Sequence, residues 1–77
     1  MTIKEIRKQM RSMDGHHYTE VILVPGWGQI GKIGKRYCTG PLPEKDDSDV
    51  MRDYSAWIYG RTEKAILEEI QRKLKIS

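Results

Sequence analysis

Phenylalanine is absent from this sequence, and its aromatic residues are limited to two tryptophans and four tyrosines. A hydrophobic core must therefore use tryptophan and tyrosine beside its aliphatic residues. Cys38 is the single cysteine, so no disulfide can form within the chain, whereas small secreted domains usually carry several. No apolar run is longer than that of Val21–Val24, far short of the ~20 residues of a membrane span. We therefore expect a cytoplasmic protein without a membrane segment.

The chain is also short. Its 77 residues suffice for one domain, and we expect residues 1–77 to fold as a single unit. A domain of this size buries only about 60% of the surface of its unfolded chain. Little room is left for a ligand pocket of the usual ~300–1,000 Å³. These limits favour a binding protein over an enzyme, and we expect no cofactor.

The net charge of +3 is unevenly distributed. Residues 1–40 carry a local charge of +4, residues 41–53 one of −3 and residues 54–77 one of +2. The basic excess thus lies toward the two ends of the chain, with an acidic segment between them. This pattern permits a surface that faces phosphates, although +3 is modest for a nucleic-acid-binding protein.

Two segments have the pattern of amphipathic helices. The first starts at a capping box of Thr2 and Glu5, whose side chains satisfy backbone N–H groups at the helix start. Its apolar residues recur at helical spacing and are Ile3, Ile6, Met10 and Met13. The second starts at the N-cap residue Thr62, and its apolar stripe consists of Ile66, Leu67, Ile70 and Leu74.

Three segments between the helices are typical of strands because they contain β-branched or aromatic residues. They are Tyr18–Val24, Gln29–Cys38 and Tyr54–Tyr59. The stretch Thr39–Val50, with two prolines and four acids, predicts a loop. The sequence thus predicts an α+β fold, a three-stranded antiparallel sheet with an N-terminal and a C-terminal helix (αβββα). The expected core residues are Ile3, Ile6, Met10, Val21, Leu23, Trp57, Ile66, Ile70 and Leu74.

Residues 26–31 spell the G-x-G-x-x-G pattern of dinucleotide sites, and with Lys32 they also spell the G-x-x-x-x-G-K of phosphate loops. In such sites, backbone N–H groups at a helix start hold the phosphates. Here Lys32 is followed by Ile33 instead of the Ser or Thr that holds Mg²⁺, and residues 33–38 lack a helical pattern. We therefore interpret Gly26–Lys32 as a flexible hairpin connection and not as a nucleotide site.

The same hairpin carries the candidate binding residues. Trp27 lies among glycines and is followed by three cations, Lys32, Lys35 and Arg36. An exposed aromatic ring beside cations can stack on bases while the cations neutralise phosphates. The first helix adds Lys4, Lys8 and Arg11 to this candidate surface. The alternative is that Trp27 folds back onto a core that has no phenylalanine.

Two further groups of polar residues are interpreted as solvated surface. His16 and His17 are adjacent, and on a strand their side chains would point to opposite faces, so a joint metal site is not expected. The acidic loop lacks the glycine turn and the final glutamate of a calcium-binding EF-hand loop. Its acids are Glu44, Asp46, Asp47, Asp49 and Asp53. We expect no metal site, although the acidic loop could contact a basic partner.

Residues 54–74 resemble the last strand and helix of the arm-type DNA-binding domain of phage and transposon tyrosine recombinases. The resemblance is carried by the turn Tyr59-Gly60-Arg61-Thr62 and by Lys64-Ala65, and it covers about a quarter of the chain. It implies a three-stranded sheet that enters the major groove of DNA, with a helix packed behind it. We do not expect the catalytic domain of a recombinase in this protein.

Two other resemblances concern the general kind of protein and the order of its helices and strands. A short chain without disulfides or room for a pocket resembles phage accessory proteins, including anti-CRISPR inhibitors. That implies occlusion of a nucleic-acid or partner surface of a host complex. The order αβββα with Gly15-His16-His17 resembles the HicA-type mRNA interferases, which implies a ribonuclease that uses histidine.

The function we expect is non-catalytic binding to DNA, RNA or a nucleoprotein complex, by a small protein of phage or mobile-element type. The basic glycine-rich hairpin would make the contact. One alternative is an inhibitor that binds a host defence protein directly. The other is a small HicA-like ribonuclease.

Overall fold

The computed structural model describes residues 1–16, 20–42 and 57–75. These residues form one antiparallel sheet of four strands in the order β1-β2-β3-β4, together with two helices. The elements are α1 (Ile3–Ser12), β1 (Val21–Val24), β2 (Gly28–Ile33), β3 (Arg36–Gly40), β4 (Ile58–Arg61) and α2 (Glu63–Leu74). The α+β class and the two terminal helices are confirmed, whereas the expected number of three strands is wrong.

The additional strand arises within Gln29–Cys38, which the sequence analysis treats as one strand. Gly34 and Lys35 form a two-residue turn in its middle, and Ile33 pairs with Arg36 on either side of that turn. Gly34 has a φ of 59°, as the first position of a two-residue hairpin turn requires. A glycine inside a strand pattern is equally typical of a bulge. The sequence alone therefore predicts one strand where the structure has β2 and β3.

The connection between β1 and β2 is a defined turn. Pro25 and Gly26 occupy its central positions, and the Trp27 N–H donates to the Val24 carbonyl at 3.0 Å. From Gly28 onward the glycine-rich stretch lies in β2. The expectation that Gly26–Lys32 is a flexible loop is therefore wrong beyond Trp27. A strand follows the turn here, whereas a phosphate loop needs a helix at that point.

The main core lies between the two helices and one face of the sheet, here called the helix face. Its buried residues are Ile6, Met10, Met13, Ile22, Val24, Ile30, Tyr37, Ile66, Leu67 and Ile70. The expected core residues Ile3, Val21 and Leu74 are only half-buried. Leu23 is 45% exposed, so its placement in the core is wrong. Successive strand residues point to opposite faces, and in β1 it is Ile22 that points to the helices.

The other face of the sheet, here called the outer face, carries a second and smaller cluster. Trp57 is buried there against the backbone of β2 and β3, as expected of a core residue. A Cβ atom at Gly40 would lie 2.6 Å from the indole ring, and one at Gly31 would lie 3.3 Å from it. Cys38 is buried beside the ring, and this burial raises the pKa of its thiol. Cys38 therefore acts as a packing residue.

Both helices begin at the N-caps expected from the sequence. The Thr2 hydroxyl accepts a hydrogen bond from the Glu5 N–H at 3.2 Å, and the Thr62 hydroxyl accepts one from the Ala65 N–H at 3.1 Å. The capping box of α1 is not reciprocal, however, because the Glu5 carboxylate accepts from the Thr2 hydroxyl and not from a backbone N–H. Local sequence signals thus fix where each helix starts.

Candidate nucleic-acid interface

Cations from three parts of the chain meet at the end of the sheet that carries the β2–β3 turn. This turn contacts the residues after α1, since the Gly34 N–H donates to the Gly15 carbonyl at 2.7 Å. Arg11 lies in the last turn of α1, and Arg61 in β4 pairs with Tyr37 in β3. We call this region the basic end. Its cations are Arg11, Lys32, Lys35, Arg36 and Arg61.

Tyr37 connects the sheet to α1 at the basic end. Its buried hydroxyl donates to the Met10 carbonyl at 3.2 Å. The Lys32 ammonium lies 5.5 Å from the centroid of the Tyr37 ring and donates to the Met13 carbonyl at 3.3 Å. A cation near the last carbonyls of a helix is favourable because the helix dipole is negative there. Lys32 therefore has a structural role as well as a place in the basic end.

The Tyr37 hydroxyl gives a first testable prediction. Tyr37→Phe removes one buried hydrogen bond and should lower the free energy of unfolding by about 1 kcal/mol at neutral pH. Burial, assisted by the Glu63 carboxylate, raises the pKa of Tyr37 above its ordinary value of 10.0, against a smaller opposite effect of Arg11. Above about pH 10 the unfolded chain therefore ionises at this residue first, and the wild type loses stability as the pH rises.

The measurement is urea denaturation at about pH 7 and about pH 10.5, on either side of the onset of ionisation. The wild type should lose more stability between these two conditions than Tyr37→Phe does, because the variant lacks the titrating group. Equal losses in both proteins would show that Tyr37 is not responsible for the alkaline effect.

Arg11 is engaged with α2. Its Nε donates to the two carboxylate oxygens of Glu63 at 3.2 and 3.1 Å, and the Nε of Arg7 lies 3.5 Å from the same carboxylate. The hydrogen bond to Glu63 and the charge of that carboxylate raise the pKa of Arg11. Both arginines are exposed, so these pairs add little stability. Their effect is to neutralise part of the positive charge of α1.

Lys35, Arg36 and Arg61 remain as exposed cations at the basic end. Within residues 1–16, 20–42 and 57–75, no carboxylate forms an ion pair with any of the three. Lys35 lies in the turn, and Arg61 lies beside Tyr37 on the helix face. Arg36 precedes the inward-pointing Tyr37 in β3, so it points to the outer face. The three cations thus surround the end of the sheet.

Arg61 is the residue that the sequence analysis does not place in the candidate surface. From the sequence, Arg61 is considered only as a member of the turn Tyr59-Gly60-Arg61-Thr62. Its position at the basic end results from the pairing of β4 with β3, which brings it beside Tyr37, 24 positions earlier in the chain. No local pattern in the sequence indicates that pairing.

Trp27 lies at the opposite end of the sheet from these cations. The six residues of β2 separate its turn from the β2–β3 turn, a span of about 20 Å at the usual rise of a strand. Its Nε1 donates to the Thr39 hydroxyl at 3.1 Å, and the Lys73 ammonium lies 5.5 Å from its ring centroid. The half-buried side chain packs against the main core. The hairpin therefore does not bring Trp27 together with Lys32, Lys35 and Arg36.

The two remaining cations of the candidate surface lie on the exposed side of α1. Lys8 is exposed three residues before Arg11, so both occupy one side of the helix. Lys4 is exposed a further turn toward the helix start, about 10 Å along the axis from Arg11. Lys8 extends the basic end along α1, whereas Lys4 is its most remote member.

The residues considered as metal or acid–base groups are only partly described. His16 is exposed, and its backbone N–H donates to the Asp14 carboxylate at 2.8 Å, an arrangement of a local turn. His17 and the acidic residues 44–53 lie outside the described residues. In the described part of the chain, no group of three His, Cys, Asp or Glu side chains is placed to hold a metal ion.

Comparison of the chain with family models, with curated proteins and with solved structures found no match in any of the three cases. In the segments that the structure describes, no helix has both the length and the apolar character needed to cross a bilayer. The basic end is therefore the feature from which a function can be inferred.

Proposed function

We propose that this protein is a non-catalytic nucleic-acid-binding protein whose contact surface is the basic end. The observation that carries the proposal is the convergence of Lys35, Arg36 and Arg61 from two distant parts of the chain. These cations are exposed and, among the described residues, lack carboxylate partners. Evenly spaced phosphates are the ligand that such an array of cations suits.

The way the basic end presents its charges supports binding. Its cations project from a turn, from strand ends and from the last turn of α1. Phosphate contacts of this kind give affinity and orientation without selecting a sequence. The ligand can therefore be DNA or RNA, free or as the exposed part of a nucleoprotein complex.

Fluorescence anisotropy of a labelled oligonucleotide, titrated with the protein over a range of salt concentrations, tests the proposal. If three phosphates are neutralised, the logarithm of the affinity should fall with the logarithm of the salt concentration with a slope of about −2 to −3. Absence of binding to DNA and to RNA at low salt would contradict the proposal.

A pull-down with and without nuclease distinguishes the proposed nucleic-acid binding from direct inhibition of a host protein. A partner that is lost after nuclease treatment is held through nucleic acid, as the proposal requires. A specific partner that stays bound after complete digestion, together with no oligonucleotide binding, would favour direct inhibition of a host protein.

A further inference from the structure

A shallow cleft on the outer face of the sheet lies directly beside the basic end. It has a volume of about 210 Å³ and is lined by Ile33, Arg36, Tyr37, Cys38, Tyr59 and Gly60. Pockets that enclose a whole ligand usually measure ~300–1,000 Å³. This cleft can therefore receive only one part of a larger ligand.

The walls of the cleft are apolar, and one of them is an aromatic ring. Tyr59 is 43% exposed and Ile33 is 38% exposed, although both lie in strands. In β4, Tyr59 and Gly60 together oppose the single residue Cys38 of β3, which is a β-bulge. The bulge places Tyr59 at the outer face beside Gly60, where both residues line the cleft.

The rim of the cleft is positively charged. Arg36 contributes to the lining and points to the outer face, and Lys35 precedes it in the turn. Arg61 follows the bulge in the edge strand β4; it lies beside Tyr37 on the helix face and adds positive charge next to the cleft without lining it. Tyr59 and Arg36 thus place an exposed aromatic ring beside a cation that has no carboxylate partner among the described residues. The sequence predicts that combination at Trp27, which lies at the opposite end of the sheet.

We propose that this cleft receives one base of a single-stranded nucleic acid, stacked on the Tyr59 ring, while the adjoining phosphates pair with Lys35, Arg36 and Arg61. The inference rests on the proposed nucleic-acid binding and specifies its ligand. In a duplex the bases are paired and stacked on one another, so none can reach the ring. In a single strand each base presents a face for stacking, whatever its identity.

The first experiment uses the unaltered protein. Anisotropy titrations at one low salt concentration compare an oligothymidylate, an oligouridylate and a DNA duplex of the same length. Tighter binding of at least one single strand than of the duplex is expected, and the two single strands distinguish DNA from RNA as the ligand. A duplex that binds as tightly as both single strands overturns the inference but leaves the proposed function intact. Absence of binding to all three refutes the proposed function itself.

The second experiment removes the ring. Tyr59→Ala should raise the Kd for the single strand between about fivefold and about a hundredfold, the range for loss of one stacked base. The salt dependence should stay the same, because no cation is lost, and duplex binding should not change. Tyr59→Phe retains the ring and should bind as the wild type does.

Two further variants separate stacking from apolar packing. Tyr59→Leu keeps apolar bulk on the sheet without a ring and should lose as much affinity as Tyr59→Ala, which also covers the case that the alanine variant does not fold. Leu23→Ala is the matched control, since Leu23 is 45% exposed on the outer face but lies outside the cleft. Wild-type affinity in Tyr59→Leu, or an equal loss in Leu23→Ala, overturns the inference.

Discussion

Gly28→Ala is expected to lower the free energy of unfolding by at least about 3 kcal/mol, a large part of the stability of so small a domain. Gly28 has a φ of 149°, a conformation that residues with a side chain rarely adopt. A Cβ atom at this position would also lie 2.2 Å from the Gly40 carbonyl oxygen. Since that oxygen belongs to the backbone of β3, relief requires the strands to separate.

Urea denaturation followed by circular dichroism measures this effect, and Gly34→Ala is the matched control. Gly34 also has a positive φ, of 59°, but an added Cβ would have no neighbour within 4 Å. Its replacement should therefore cost only the backbone strain, about 1–2 kcal/mol. Equal destabilisation by the two variants would show that the close approach of Gly40 is unimportant.

The surroundings of Gly28 explain part of the glycine pattern that resembles a nucleotide site. Gly26 lies at the centre of the β1–β2 turn, and Gly28 accommodates the Gly40 carbonyl. A Cβ at Gly31 would lie 3.1 Å from the Cys38 sulfur and close to Trp57. Each glycine of the pattern is thus explained by a turn or by the packing of the sheet. A phosphate ligand is not needed to explain any of them.

The second large effect is expected from Lys35→Glu combined with Arg36→Glu. Reversal of two adjacent cations at the basic end should weaken nucleic-acid binding by about a hundredfold or more at low salt, a loss of about 3 kcal/mol. The slope of the salt dependence should become shallower by about 1.5, because two phosphate contacts are lost. Both side chains are exposed, so the stability of the fold should change little.

The control for this double variant is Arg72→Glu combined with Lys75→Glu. It alters the net charge of the protein by the same amount, but its residues lie at the end of α2, away from the basic end. It should retain most of the binding and a nearly unchanged salt slope. If both double variants lose affinity equally, the protein binds through its overall charge and the basic end has no special part. Thermal denaturation of each variant verifies that it is folded.

Where each helix starts follows from the sequence because the signals are local. Thr2 and Thr62 are both N-caps, and the apolar stripes of both helices face the core. The residues of β1 that point to the core cannot be predicted from the sequence, because Val21–Val24 is apolar throughout and shows no alternation of polar and apolar residues. The pairing of β1 with β2 determines that Ile22 points inward and Leu23 is exposed.

Only part of the candidate site can be predicted from the sequence, for a similar reason. The sequence identifies the cations of the hairpin, but it does not reveal that Lys32 donates a hydrogen bond to the Met13 carbonyl or that Arg11 is paired with Glu63. It also does not indicate that Trp27 packs against the core at the far end of β2, or that Arg61 joins the hairpin cations. These arrangements depend on contacts between residues far apart in the chain.

The hydrogen bond from the Gly34 N–H to the Gly15 carbonyl has a consequence for the entropy of binding. It joins the β2–β3 turn to the segment that follows α1, and an added Cβ at Gly15 would lie 2.5 Å from the Gly34 oxygen, so the two backbones are in direct contact. The backbone that carries Lys35 and Arg36 is therefore ordered when the chain folds. If the basic end binds nucleic acid as proposed, association would restrict only the side chains, and the entropic cost of forming the complex would be lower.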